Sequence, residues 1–281
     1  ASTGRPVFSF PTVLLLLGGG AGPVIVPAVL IRLGFWDPAL DPSVGAFLRR
    51  AYDPRSLSLQ WYLYILGLVG VVAFGPVLVA RWMPGADGAG SWSLISVGSS
   101  GTILIGILGG VLEETGWRGY AQEGLQRRMP VLVASLVVGI FWGLWHLPLF
   151  LIEGTYQSGL GLGTAAFWSF HLGIIAACPL YAWLYNVAGT PAKSGGGRSA
   201  GGAGRLAGRA TFAAVVYHSA SNVGRELVPD VSNVAEVGVE AVVSLVVLVA
   251  AWSWMKKRRG PGPREADRRS RRRDPRDSAS S

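Results

Sequence analysis

One cysteine, Cys178, stands in 281 residues. A lone thiol closes no internal disulfide and builds no cysteine zinc cluster, so disulfide-framework and zinc-finger classes are excluded. Charge is scarce as well: 15% of the residues are Asp, Glu, Lys or Arg, against about 25% in soluble domains. With 50% hydrophobic residues and a mean hydropathy of +0.40, the chain is too apolar for an ordinary soluble domain. Histidines number three and no His-Glu-x-x-His occurs, which removes the helix-borne zinc protease motif. No internal repeat is visible, which argues against the repeat-built transporter folds.

Long apolar runs are what the chain has in abundance. A bilayer crossing takes about 20 such residues, and seven runs are candidate spans, the sixth of them short and polar: 11–33, 57–80, 100–128, 131–152, 162–187, 210–223 and 237–254. The expected fold is therefore all-α, a polytopic transmembrane helical bundle. Residues 1–255 read as a single membrane domain with its polar core at 102–223, and the first run reads as a retained span rather than a signal peptide. Residues 256–281 hold eleven Lys and Arg against four Asp and Glu, which accounts for most of the net +9. With almost nothing apolar to bury, this basic tail is expected to be disordered and attracted to anionic lipid headgroups rather than to nucleic acid.

Seven spans also sort the charge. Arg32, the basic residues of the 34–56 loop, Arg127, Arg128, those of the Gly-rich 189–209 loop and the tail fall on one side, and only Arg5, Arg81 and Arg225 on the other, with Arg118 inside a span. By the positive-inside rule the N-terminus is outside and the tail cytoplasmic, with a bacterial plasma membrane suggested by the Ala/Gly/Arg/Pro-rich composition.

Against that apolar background a few polar groups stand out, because ionisable residues inside a membrane are costly and mark functional sites. Glu113, Glu114 and Arg118 end the third run. Glu114 and Arg118 are spaced i, i+4 and so share a face as an ion pair, while Glu113 lies about 100° round the helix and is left for chemistry. At 1.5 Å rise per residue, Glu114 and His146 lie about 21 Å and 24 Å along their helices from the Arg128–Pro130 turn, so the hairpin brings them to similar depth. His218 and Asn222, again i, i+4, can aim two donors at one developing negative charge. The expected catalytic set is Glu113 as general base, His146 as the partner that holds water, and His218 with Asn222 at the oxyanion. Glu113, His146 and His218 are equally a candidate metal-binding trio for one zinc ion, or the site uses none. Either way the reaction class is attack of water on a carbonyl, which in a membrane means hydrolysis of a peptide bond.

These residues resemble the CPBP intramembrane proteases, the family of the CAAX prenyl endoproteases and of bacteriocin-processing and abortive-infection homologues. The resemblance rests on Glu-Glu-x-x-x-Arg (Glu113, Glu114, Arg118), an aromatic four residues before histidine (Trp142, His146) and His-x-x-x-Asn (His218, Asn222). It implies an all-helical membrane protease in which Glu113 and His146 activate water and His218 and Asn222 stabilise the oxyanion, with Glu114, Arg118 and Trp142 supporting them. The implied partners are membrane lipid and a membrane-associated protein or peptide substrate. Trp142 stands where the family usually has Phe, and the Gly-rich loop between the second and third motifs is long. Two other readings compete: a non-catalytic membrane protein of the same fold, with an immunity or scaffold role, and a transporter with an ionisable midplane site. A rhomboid-type serine protease would use Gly98-Ser99-Ser100-Gly101 but leaves Glu113, Glu114 and Arg118 without a role.

Overall fold

The computed structural model of the protein describes residues 10–82, 100–189, 209–228 and 233–257. Gly98 and Ser99, residues 190–208 of the Gly-rich loop and residues 258–281 of the tail lie outside the described residues. Among those described, the chain is helical between short connections, with one isolated antiparallel bridge from Leu57 to Gly189. Helix is what lipid demands, because each backbone donor and acceptor is then satisfied within its own segment.

The long helices are α1 (Phe10–Arg32), α3 (Leu59–Trp82), α4 (Ser100–Glu114), α6 (Val131–His146), α8 (Ala165–Val187), α9 (Thr211–Glu226) and α10 (Asn233–Lys257). Short helices α2 (Val44–Ala51), α5 (Glu123–Gln126) and α7 (Tyr156–Leu160) lie between them. Among the described residues, four stretches are long and apolar enough to cross a bilayer: Leu59–Arg81, Val131–Leu151, Ala165–Val187 and Ala235–Ser253. A shorter apolar stretch, Gly18–Arg32, belongs to α1. Leu63, Ile105, Ile140, Leu172 and Val246 point outward, whereas Glu114, Arg118, Gln122 and Glu123 are fully buried. Apolar outside and polar inside is the arrangement expected where the solvent is hydrocarbon.

Three local departures from the sequence expectation matter. The run expected as one helix over 100–128 is α-helical to Glu114, turns π-helical over Thr115–Gln122 and returns to α-helix as α5. The fourth run ends its α-helix at His146 and tightens into a 3₁₀ turn, Leu147–Leu151, because Pro148 has no N–H to continue the ladder. The 34–56 segment, expected as loop, contains α2, capped by Ser43 Oγ accepting from Ala46 N at 3.2 Å and burying Phe47 and Ala51.

Packing then joins the motifs: α4 lies along α9, α6 along α8, and α10 along α8 and α3. The α4–α9 approach depends on Gly106 and Gly110, a small-xxx-small pair of the kind that lets membrane helices touch. A Cβ at Gly110 would stand 2.6 Å from Ser219 N and 3.0 Å from its Cα, and one at Gly106 3.1 Å from Asn222 Cβ. Ser219 Oγ and Asn222 Nδ2, both at 3.0 Å, donate to the carbonyls of Ile107 and Gly106 across this seam. Gly110→Val is therefore expected to cost about 1–3 kcal/mol as an overpacked contact. A thermal melt in detergent checks it, and a midpoint equal to the parent's would contradict the seam.

At one end of the bundle, charges tie the connections together. Asp37 accepts from Arg127 Nη2 at 3.2 Å, Asp41 from Arg50 Nη2 at 2.9 Å, and Glu123 from Arg209 Nη1 at 2.6 Å and Tyr185 Oη at 2.7 Å. These arginines come from the 34–56 segment, the α5–α6 turn and the start of α9, so three positively charged connections share one end.

Candidate active site

The indole of Trp142 is the shared neighbour of the polar motifs. From α6 its Nε1–H donates to Glu113 Oε2 at 2.6 Å. Its ring lies 6.0 Å from that of His146 and 5.4 Å from that of His218, centroid to centroid. The structure thus brings Glu113 of α4, Trp142 and His146 of α6 and His218 of α9 around one aromatic ring. Glu113, expected to stand clear, is held by one oxygen and keeps Oε1 open.

Asn222 joins the same hollow from α9. A Cβ at Gly109 would lie 3.6 Å from both Asn222 Nδ2 and Glu113 Oε1. One of the two amide hydrogens of Asn222 goes to Gly106 O, which leaves the other for a ligand. Glu113 and Asn222 are partly exposed while Glu114, Arg118, Trp142, His146 and His218 are buried. Of the four residues expected to meet substrate, Glu113 and Asn222 are thus reachable and His146 and His218 are buried.

The π turn places the support. Widening the helix frees backbone acceptors, and such turns concentrate at functional sites; here the carbonyl of Val111 accepts from Thr115 Oγ1 and from Tyr52 Oη, each at 3.0 Å. Inside the turn Arg118 Nη1 donates to Glu114 Oε1 at 2.9 Å, and Nη2 lies 3.3 Å from Cys178 Sγ. Its guanidinium carbon sits 4.1 Å over the Tyr181 ring and 4.6 Å over that of Trp142. Glu114 Oε1 also meets His218 Nδ1 at 2.9 Å. The Glu114–Arg118 pair, expected to fix the helix, therefore reaches across to α9 and orients a histidine as well.

Hydrogen bonding assigns the imidazole protons. His146 Nδ1 faces the carbonyl of Trp142 at 2.8 Å and His218 Nδ1 faces a carboxylate oxygen. Both partners only accept, so both Nδ1 atoms carry hydrogen and both Nε2 atoms are left for substrate or water. His146 can then accept from water at Nε2, and His218 donates from Nε2 only when its ring carries both protons. The two rings have the chemistry of metal ligands, but among the described residues no three His, Cys, Asp or Glu side chains are grouped to hold a metal ion.

Several neighbours carried no sequence signal. Cys178 and Tyr181 are unremarkable letters in an apolar helix, yet both touch Arg118. Gly106 and Gly110 were missed, although their small-xxx-small spacing was a usable signal. His171 stays apart from the polar hollow, with Nδ1 on Phe167 O at 2.8 Å and its ring stacked with Phe150. Beside the hollow runs an apolar groove of about 440 Å³ lined by Trp117, Leu125, Phe141 and Trp145, and the Trp145 ring lies 4.9 Å from His146.

Comparison with known proteins covers part of this arrangement. Residues 97–194 match the family described as type II CAAX prenyl endopeptidase, Rce1-like. That stretch holds Glu113, Glu114, Arg118, Trp142 and His146, with His218 and Asn222 beyond it. The chain is also 28% identical to CAAX prenyl protease 2 of Methanococcus maripaludis over 148 residues, 51% of this chain and 53% of that one. It spans about half the length of the curated relative it matches.

Proposed function

Because the chain belongs to the CPBP family of CAAX-type proteases, we propose that it is an intramembrane endopeptidase that hydrolyses a peptide bond in a membrane-associated protein or peptide. The observation that carries the mechanism is the 2.6 Å bond from Trp142 Nε1 to Glu113 Oε2, which holds one carboxylate oxygen on the indole whose ring lies 6.0 Å from that of His146. Water is held between Glu113 Oε1 and His146 Nε2. Glu113 takes its proton as the oxygen attacks the carbonyl carbon, and returns that proton to the departing amine. The spare amide hydrogen of Asn222, together with His218 in its doubly protonated form, faces the developing oxyanion. Such donors are worth most in a site closed to bulk water, and one is typically worth about 10²–10³ in rate.

The groove lined by Trp117, Phe141 and Trp145 suits an apolar side chain or a lipid chain lying next to the scissile bond. The clustering of Arg50, Arg127 and Arg209 at one end supports a cytoplasmic assignment for that end and for the tail. In a bacterial cell the host membrane would be the plasma membrane.

The test is cleavage by the purified full chain in nanodiscs, read by mass spectrometry. Two substrates are offered: a peptide ending in a prenylated cysteine motif, and an unprenylated transmembrane peptide. Cleavage of either is expected, with a loss of about 10²–10⁴ in His146→Ala. Failure to cleave both, or full activity in the variant, overturns the proposal. Elemental analysis with chelator treatment separates a glutamate-type from a metallo-type enzyme.

A further inference from the structure

A second polar stripe runs down α9, on a face the mechanism does not use. Tyr217, Ser221 and Arg225 follow at i, i+4 and i+8, about 100° round the helix from His218 and Asn222. Opposite them α10 presents Glu240 and Ser244, also i, i+4. All but Arg225 are buried, Tyr217 completely and Ser221 and Ser244 at 2% and 3% exposure.

The two helices do not close on each other here, since α10 packs on α8 and α3 instead. Long side chains bridge the gap: Arg225 Nη2 reaches Glu240 Oε2 at 3.3 Å. Tyr217 Oη is directed at Ser221 and Glu240. Yet Tyr217 Oη, Ser221 Oγ and Ser244 Oγ are all shielded from the surface and make no hydrogen bond of full geometry among the described residues, Tyr217 Oη only approaching Ser221 and Glu240. Three unpaired hydroxyls beside one carboxylate, inside an apolar bundle, are costly, because each unsatisfied group costs about 1–3 kcal/mol. Internal water is the usual remedy, and it needs two to four polar partners. This gap offers four.

Its position gives that water a use. At one end the gap meets Arg225, whose side chain is 39% exposed. At the other it meets Tyr181, whose ring lies 5.0 Å from that of Tyr217, 5.8 Å from that of His218 and under the Arg118 guanidinium. A hydrolase buried among apolar helices needs water delivered to it, and Tyr181 joins this polar stripe to the back of the Trp142 hollow through ring contacts.

We propose that the α9–α10 gap is a built water site, held by Tyr217, Ser221, Ser244 and Glu240, through which water enters from the Arg225 end toward the active site. The functional half of this rests on the hydrolytic reading above; the presence of water does not. The experiment is hydroxyl-radical footprinting of the full chain in nanodiscs, which labels side chains next to water even when they are buried. Tyr217 is expected to label nearly as readily as exposed Tyr156, and far more than Tyr185, which is equally buried but bonded to Glu123. Ser244→Val should lower Tyr217 labelling severalfold, and the smaller Ser244→Ala, which leaves room for water, should lower it less. Tyr217 labelling as low as that of Tyr185, or unchanged in Ser244→Val, overturns the site. If the parent cleaves a peptide, Ser244→Val should reduce kcat severalfold with KM unchanged. A kcat equal to the parent's overturns the delivery role while leaving the labelling result to stand.

Discussion

Glu113→Gln is expected to remove turnover and leave the fold in place. The amide matches the carboxylate in shape, and its oxygen can still accept from Trp142 Nε1, so the side chain stays where it is. What it loses is the capacity to take a proton from water. General-base catalysis is worth about 10²–10⁴ in rate, and the loss should fall in that range. The measurement pairs peptide cleavage with a thermal melt of the same preparation. An active Glu113→Gln, with a melting curve equal to the parent's, would sink the assignment of the base.

Arg118→Ala is the variant with the largest expected effect on stability. The arginine is 1% exposed and Glu114 is not exposed at all. Truncation would leave a buried carboxylate whose remaining partner is His218 and would uncover the faces of Trp142 and Tyr181. Removing one member of a buried ion pair typically costs about 3–5 kcal/mol. Denaturant or thermal unfolding in detergent reads the change directly. Adding Glu114→Gln to Arg118→Ala should restore part of it, because the stranded charge goes with the carboxylate and neighbouring residues couple. An unchanged midpoint in the single variant would refute the pairing.

Much of the architecture could be read from hydropathy, since apolar runs in a charge-poor chain have few other uses. Helix α2 was hidden because eight residues amid Pro38, Pro42 and Pro54 are too few for a clear period. The π turn over Thr115–Gln122 was hidden for a different reason: an i, i+4 pair such as Glu114 and Arg118 is compatible with an unbroken α-helix, so their spacing gives no warning of the widening. Site residues were conspicuous where they were expensive, as with Glu113, His146 and His218. Their division of labour was not, because a carboxylate that serves both an arginine and a histidine is defined by a helix about a hundred residues away. Tyr217 and Ser221 each stand one position before a motif residue, His218 and Asn222, and only the rotation of α9 turns them away from the hollow.

The π turn has another neighbour. A Cβ at Gly116 would collide with the backbone of Pro23, standing 2.8 Å from its Cα and closer still to its carbonyl oxygen. Two main chains meet there, with only the rigid ring of Pro23 beside them and no flexible side chain to yield. The first helix is therefore keyed to the turn that carries Arg118, two residues from the contact. Position 116 has an alphabet of one letter: in a saturation library selected for a folded protein, it should return glycine alone.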